Sequence, residues 1–332
     1  MSYRNAMFWA LGAFTITACG SADDGQGEGS AVSSGPEALH STLEALDRVP
    51  TGYGVVPGGF LVHKDCIHEV PEGAIVETDD SLTLKGKTIA RYGPCAHKRY
   101  RLAQGGSRRT AEEPGTGNGW VESNWGTSSQ TMFTNLYTGT WTVPGNPTAN
   151  DGQLLYFFPS LVSSTWDTIV QDVMQWGSSP AGGGQNWGMA TWKVGGGQTY
   201  HSTLRTVYAG DQLNGHIQII GSDATSQTWF IGMVDATRLT YTYVTAKTNT
   251  NPFSNVQGGV LEAYGVTQCS DFPSSGPTYF SAVTLYQGNS YTQQNLYNPS
   301  WTTQPYTYWG WTGPTCSLSV STGTQGEAWL YY

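Results

Sequence analysis

Charge is scarce in this chain. Only 12% of its 332 residues are Asp, Glu, Lys or Arg, about half of ordinary globular usage, which excludes coiled coils and charged disordered tails. Surplus positive charge is absent as well. The 15 Lys and Arg face 24 Asp and Glu, for a net charge of -9, so no basic surface awaits a phosphate backbone and no nucleic-acid partner is expected. No apolar run reaches the roughly 18 residues of a spanning helix, and no stretch holds a long helical period. The Gly-x-Ser-x-Gly nucleophile elbow is missing. The glycine triplets at 182–184 and 195–197 lack the lysine and helix of a phosphate loop and read as hairpin loops. What the chain does have is 43 Gly, 19 Tyr and 13 Trp, a composition that favours strands and tight turns.

The first residues read as an address. Arg4 precedes an apolar stretch over 6–16, the layout of a secretory signal. The stretch ends in Ile16-Thr17-Ala18-Cys19-Gly20, which resembles a bacterial lipobox with Cys19 as the lipidated residue. Residues 1–19 are then the signal peptide. Residues 20–36, rich in Gly, Ser and Asp, form a flexible tether. Export follows, with a lipid anchor as the only membrane contact. The lipid would hold the protein at the bacterial outer membrane or cell surface; ordinary signal cleavage would leave it secreted.

Charge then divides the remainder. From 118 to 332 there are ten acidic and four basic residues, against fourteen and eleven before it. Such a shift marks a domain boundary. Residues 37–97 are expected to form a small β-rich, propeptide-like module, opening with a short amphipathic helix over 37–48 through Leu39, Leu43 and Leu46. Short strands are predicted at 59–62, 74–76, 81–84 and 88–90. Residues 98–119, with Arg99, Arg101, Arg108 and Arg109, have the composition of an exposed, cleavable linker.

Residues 120–332 carry short alternating runs at 136–143, 153–158, 168–174, 189–194, 198–208, 216–220, 228–234, 239–246, 259–266, 278–285 and 327–331, punctuated by Gly, Asn, Pro and Asp. That spacing predicts an all-β fold, a two-sheet antiparallel β-sandwich of the concanavalin or lectin type. One cysteine for lipid leaves four. Pairing within each module joins Cys66 to Cys95 and Cys269 to Cys316, as suits an oxidising compartment. A zinc site of Cys66, His68, Cys95 and His97 is the rival.

Carboxylates and carboxamides remain as candidate chemistry. The large module has three glutamates, and Glu262 sits in the apolar run Val260-Leu261-Glu262-Ala263-Tyr264. A desolvated glutamate there would have a raised pKa and could act as general acid or base. Gln171 lies similarly in Ile169-Val170-Gln171-Asp172-Val173, where an amide can orient water or donate to an oxyanion. Alternation puts Gln171 and Gln175 on one face and Asp172 on the other. His201 and His216 are lone histidines on strands and read as structural.

In order along the chain, several segments resemble the glutamic peptidase (eqolisin) family. Asn124-Trp125-Gly126 and Thr138-Gly139-Thr140-Trp141-Thr142-Val143-Pro144 look like the family's opening motifs. Ile169-Val170-Gln171, Ala190-Thr191-Trp192, Ala209-Gly210-Asp211-Gln212-Leu213 and Val260-Leu261-Glu262 follow in the family's sequence. The resemblance covers about half the chain, from Trp120 to Leu285. It departs at 156–161, where the family's aspartate is missing, and at Ala263, where the family has tryptophan. The tail from 286 has no counterpart. Neprosin-like peptidases are the nearest alternative, but they would need a second glutamate near Gln171.

The resemblance implies an endopeptidase of acidic pH acting on polypeptide, with Gln171 and Glu262 catalytic, Trp192 and Gln175 touching substrate, and no metal or cofactor. A monomer is expected. The rival class is a non-catalytic carbohydrate-binding or adhesion lipoprotein, with Trp301, Trp309 and Trp311 as stacking platforms.

Overall fold

The computed structural model describes residues 43–102, 116–127, 133–166, 168–195, 197–249, 253–288 and 295–332. Cys19 and the tether lie outside them. Among the described residues there is no α-helix, and no helix is long and apolar enough to cross a membrane.

Alternating sequences have built two large sheets. The strands that carry the site are β1 (Tyr53–Val56), β2 (Phe60–His63), β3 (Gly117–Thr127), β4 (Leu154–Ser163), β5 (Thr168–Ser179), β6 (Gly182–Gly195) and β7 (Phe253–Val266). The front sheet runs β3, β7, β4, β5, β6 in antiparallel order, extended by Thr302–Gln304 at one end and by Thr199–His201 and Ile67–Glu69 at the other. The back sheet is centred on Phe133–Thr142, Gln212–Ser222, Ser226–Asp235 and Thr240–Asn249. Between them lies a core in which Leu155, Phe157 and Met174 of the front sheet share one apolar cluster with Ile217, Ile231 and Val244 of the back. The expected all-β sandwich is thus the observed architecture.

The front sheet is unusual in being covered on its outer side too. Tyr156, Phe158, Val173, Trp192 and Val260 form a second apolar cluster with Val56, Phe60, Leu61 and Val62 of the β1–β2 hairpin. This double burial explains why β4 and β5 read as nearly continuous apolar runs.

The described part of this stretch, 43–97, holds short strands, and most of them join the large sheets. Ala74–Val76, Ser81–Leu84 and Lys87–Arg91 prolong the back sheet, while Ile67–Glu69 pairs in parallel with Thr199–His201. The edges of the two sheets are thereby moved outward to Lys87–Arg91 and Ile67–Glu69. Over 43–48 the expected helix is replaced by a two-residue strand, Ala45–Leu46, paired with Arg101–Leu102. Leu43 and Leu46 pack on the outer cluster, so tertiary burial overrides the helical spacing; residues 37–42 lie outside the description. Of the expected linker 98–119, residues 103–115 lie outside the described residues. Tyr100 bridges to Leu61, and 117–119 already belong to β3.

Both expected disulfides are present, Cys66–Cys95 and Cys269–Cys316. The first uses the thiolates that the rival zinc site needed. His68 stacks instead on Tyr92 and bonds Gln198. The second fastens the tail, whose strands Ser319–Thr322 and Ala328–Tyr331 complete the back sheet.

Candidate active site

Strand order brings the two candidate residues together. β5 and β7 are the two neighbours of β4, with Gln171 opposite Ser160 and Glu262 opposite Tyr156. Residues 156 and 160 are an even number apart on one strand, so both candidates face the outer side of the sheet. Each is fully buried. An uncompensated carboxylate in such a place is costly, and Glu262 has three donors. The hydroxyl of Tyr264 donates to Oε1. The main-chain N–H of Gly59 donates to Oε1 at 2.7 Å, and that of Gly58 to Oε2 at 2.8 Å. Desolvation nonetheless outweighs these bonds and pushes its pKa up to about 7.

Gln171 meets the same turn. Its Nε2 donates to the carbonyl of Pro57 at 3.0 Å, and its Oε1 is buried. Three consecutive residues, Pro57, Gly58 and Gly59, therefore lie across both candidate side chains. The turn between β1 and β2 fits because Gly58 and Gly59 adopt φ of +101° and +88°, a region that disfavours residues with a side chain. A Cβ at Gly58 would come within 2.9 Å of Ile169 Cδ1. Tyr156 steadies the approach by donating to the Val55 carbonyl at 3.0 Å. This turn, called the plug below, bonds both candidate side chains through its main chain.

The other expected residues are placed less directly. Trp192 stands opposite Gln171 on β6 and is fully buried, forming an apolar wall with its ring against His201. Gln175 is occupied elsewhere: its amide donates to the Gly177 and Gly182 carbonyls and accepts from Ser179. It shapes the β5–β6 turn. That turn borders an open cavity of about 490 Å³ beside the plug, lined by Val55, Ile67, Leu154, Ser179 and Pro180. His201 is buried with its Nδ1 against the Ser202 carbonyl, and burial lowers its pKa. His216 bonds Gln218 on the back sheet. Trp309 and Trp311 are buried, at 6% and 7% exposure, so they offer no stacking platform for a sugar. Their rings pack against Trp120 and Phe272 respectively.

Sequence reasoning missed Tyr264, Tyr156 and the plug. Tyr264 was legible in principle, since it stands two residues beyond Glu262 on the same strand face. The motif Pro57-Gly58-Gly59 between the apolar pairs Val55-Val56 and Phe60-Leu61 was a hairpin signal. What it covers was not.

No protein-family model matches the chain, and no curated protein matches it. Among solved structures it is similar to Scytalido-glutamic peptidase with a peptide-based transition-state analogue. There the identity is 10%, covering 67% of this chain and 98% of that one, with a TM-score of 0.41. It is also similar to SCP-B, a member of the Eqolisin family of peptidases, in complex with the tripeptide Ala-Ile-His. The values are 10% identity, 65% and 98% coverage, and a TM-score of 0.40. Likeness at this level assigns the chain neither a family nor an activity, and the site stands on its own geometry.

Proposed function

We propose that this chain is a latent endopeptidase of the glutamic type, in which Gln171 and Glu262 hydrolyse peptide bonds and the Pro57–Gly59 turn blocks them. The observation that carries this reading is that both side chains grip consecutive backbone groups of one peptide turn. In productive use, Glu262 as carboxylate takes a proton from a water, which attacks the scissile carbonyl. The Gln171 amide donates to the developing oxyanion, as it now donates to the Pro57 carbonyl. Protonated Glu262 then passes its proton to the leaving amine. Tyr264 orients the carboxyl. The cavity beside Leu154 and Pro180 supplies apolar contact for a substrate side chain.

With the plug in place, both carboxylate oxygens are engaged by main-chain donors and are not free to hold water. Burial raises the Glu262 pKa while the Gly58 and Gly59 main-chain donors lower it, so the turn's own bonds favour the carboxylate form. Covalent release at the arginines between 98 and 119 is the route proposed for unmasking. The proposed setting is extracytoplasmic, with Cys19 as lipid anchor.

The test compares intact chain with chain cut by trypsin, then separated from its 43–102 segment in mild denaturant and refolded. Cleavage of an unfolded protein substrate between pH 2 and 8 is read by mass spectrometry. Cleavage by the processed form and little by the intact form is expected. Silence of both forms at every pH overturns the proposal.

A further inference from the structure

The back sheet carries a cavity that the proposed reaction does not use. Its floor follows from strand alternation. On Phe133–Thr142 the rings of Tyr137 and Trp141 belong to the core between the sheets, so Thr140 and Thr142 point to the outer face. Thr142 stands opposite Gln212, and Thr140 lies between Asn214 and Ser281. One wall is Tyr279, 40% exposed, on the neighbouring strand Thr278–Gly288. The other wall is the turn at 275–277 together with Pro144. These groups border an open cavity of about 470 Å³, within the range of small-molecule sites.

Both walls are fixed before any ligand arrives. Ser275 Oγ accepts from the Gly145 main chain at 2.7 Å, and the Ser275 carbonyl accepts from the Tyr332 hydroxyl at 2.8 Å. Tyr279 is held by Trp329, whose ring stacks on it with centroids 4.6 Å apart and planes 15° apart. Strand order runs Ala328–Tyr331, Thr278–Gly288, Phe133–Thr142, so Trp329 covers one face of Tyr279 and the other face looks onto the cavity. A ring already held in place loses little freedom on binding.

The lining selects by exclusion. None of its side chains is charged, so an ionic ligand finds no counter-charge. A wholly apolar ligand would strip water from the Thr142 hydroxyl and the Gln212 amide, both exposed, and return no hydrogen bond. An extended peptide has no strand edge to join, since Phe133–Thr142 is paired on both sides. A pyranose meets all three conditions: it is neutral, one ring face is C–H for an aromatic plane, and its hydroxyls both donate and accept. We propose that this cavity binds a neutral saccharide, stacked on Tyr279 and hydrogen-bonded by Thr142 and Gln212. Gln171 and Glu262 lie on the other sheet, so the site is independent of whether the chain cleaves peptides.

Titration calorimetry of the full chain with cellotetraose and with triacetylchitotriose tests this, with trigalacturonate as the anionic control. Saturable binding of at least one neutral oligosaccharide is expected, and none of trigalacturonate. Tyr279→Ala should weaken it at least about tenfold and Gln212→Ala measurably, while Tyr279→Phe keeps the ring and most of the affinity. Tyr241→Ala removes another exposed ring of the same sheet and should leave binding unchanged. Thermal midpoints near that of the parent verify that the variants fold. No saturable binding of either neutral oligosaccharide, equal binding of trigalacturonate, or undiminished binding by folded Tyr279→Ala and Gln212→Ala chains overturns the site.

Discussion

Glu122 offers a quantitative test of the packing. It stands opposite Leu261 on the inner side of the front sheet, buried near Tyr332. Neither carboxylate oxygen has a side-chain partner. Desolvation pushes its pKa up to about 9 from 4.5, with the Tyr331 main chain giving partial relief. A raised carboxyl contributes stability that is fully present below pH 4.5 and is lost as pH climbs towards 9. Between pH 4.5 and 7 the loss is about 3 kcal/mol at about 1.36 kcal/mol per unit, a large part of the roughly 5–15 kcal/mol that holds a domain folded. Glu122→Gln replaces the neutral acid by a neutral amide of similar shape. Its thermal midpoint should match the parent near pH 4 and exceed it by roughly 6–12 °C at pH 7. Differential scanning calorimetry across this range reads the difference. Parallel curves for parent and variant would refute the reasoning.

Two further outcomes concern the site. Gly58→Val forces a branched side chain onto a φ of +101° and towards Ile169, a strain of about 1–3 kcal/mol; the intact chain should gain roughly 5- to 150-fold in peptide cleavage, and an unchanged rate would count against the plug. Tyr264→Phe removes a hydrogen bond that lowers the Glu262 pKa. On the proposed function, the acid limb of the processed chain's pH–rate profile should move up by about one unit, and an unmoved limb would separate Tyr264 from the carboxyl.

Much of the fold was legible because burial on a strand leaves a period-two trace. The runs at 74–76 and 81–84 match their strands residue for residue. Gln171 and Glu262 were legible because a polar group within an apolar run needs a reason. Their shared turn was not, since it joins residues more than a hundred positions apart. Local pattern also misled over 43–48, where Leu43 and Leu46 answer to the outer cluster rather than to a helix. Gln175 shared the face of Gln171 but lies beside a turn whose carbonyls needed donors. The strain-free fit of a Gly-Gly turn onto a buried acid is a tertiary fact with only a faint local signature.

The most direct measurement of the central claim compares processed parent, Glu262→Gln and Gln171→Ala proteins on one unfolded substrate between pH 2 and 8, with fragments counted by mass spectrometry. Cleavage by the parent, lost in both folded variants, is the predicted result. Cleavage that survives in Glu262→Gln would contradict it.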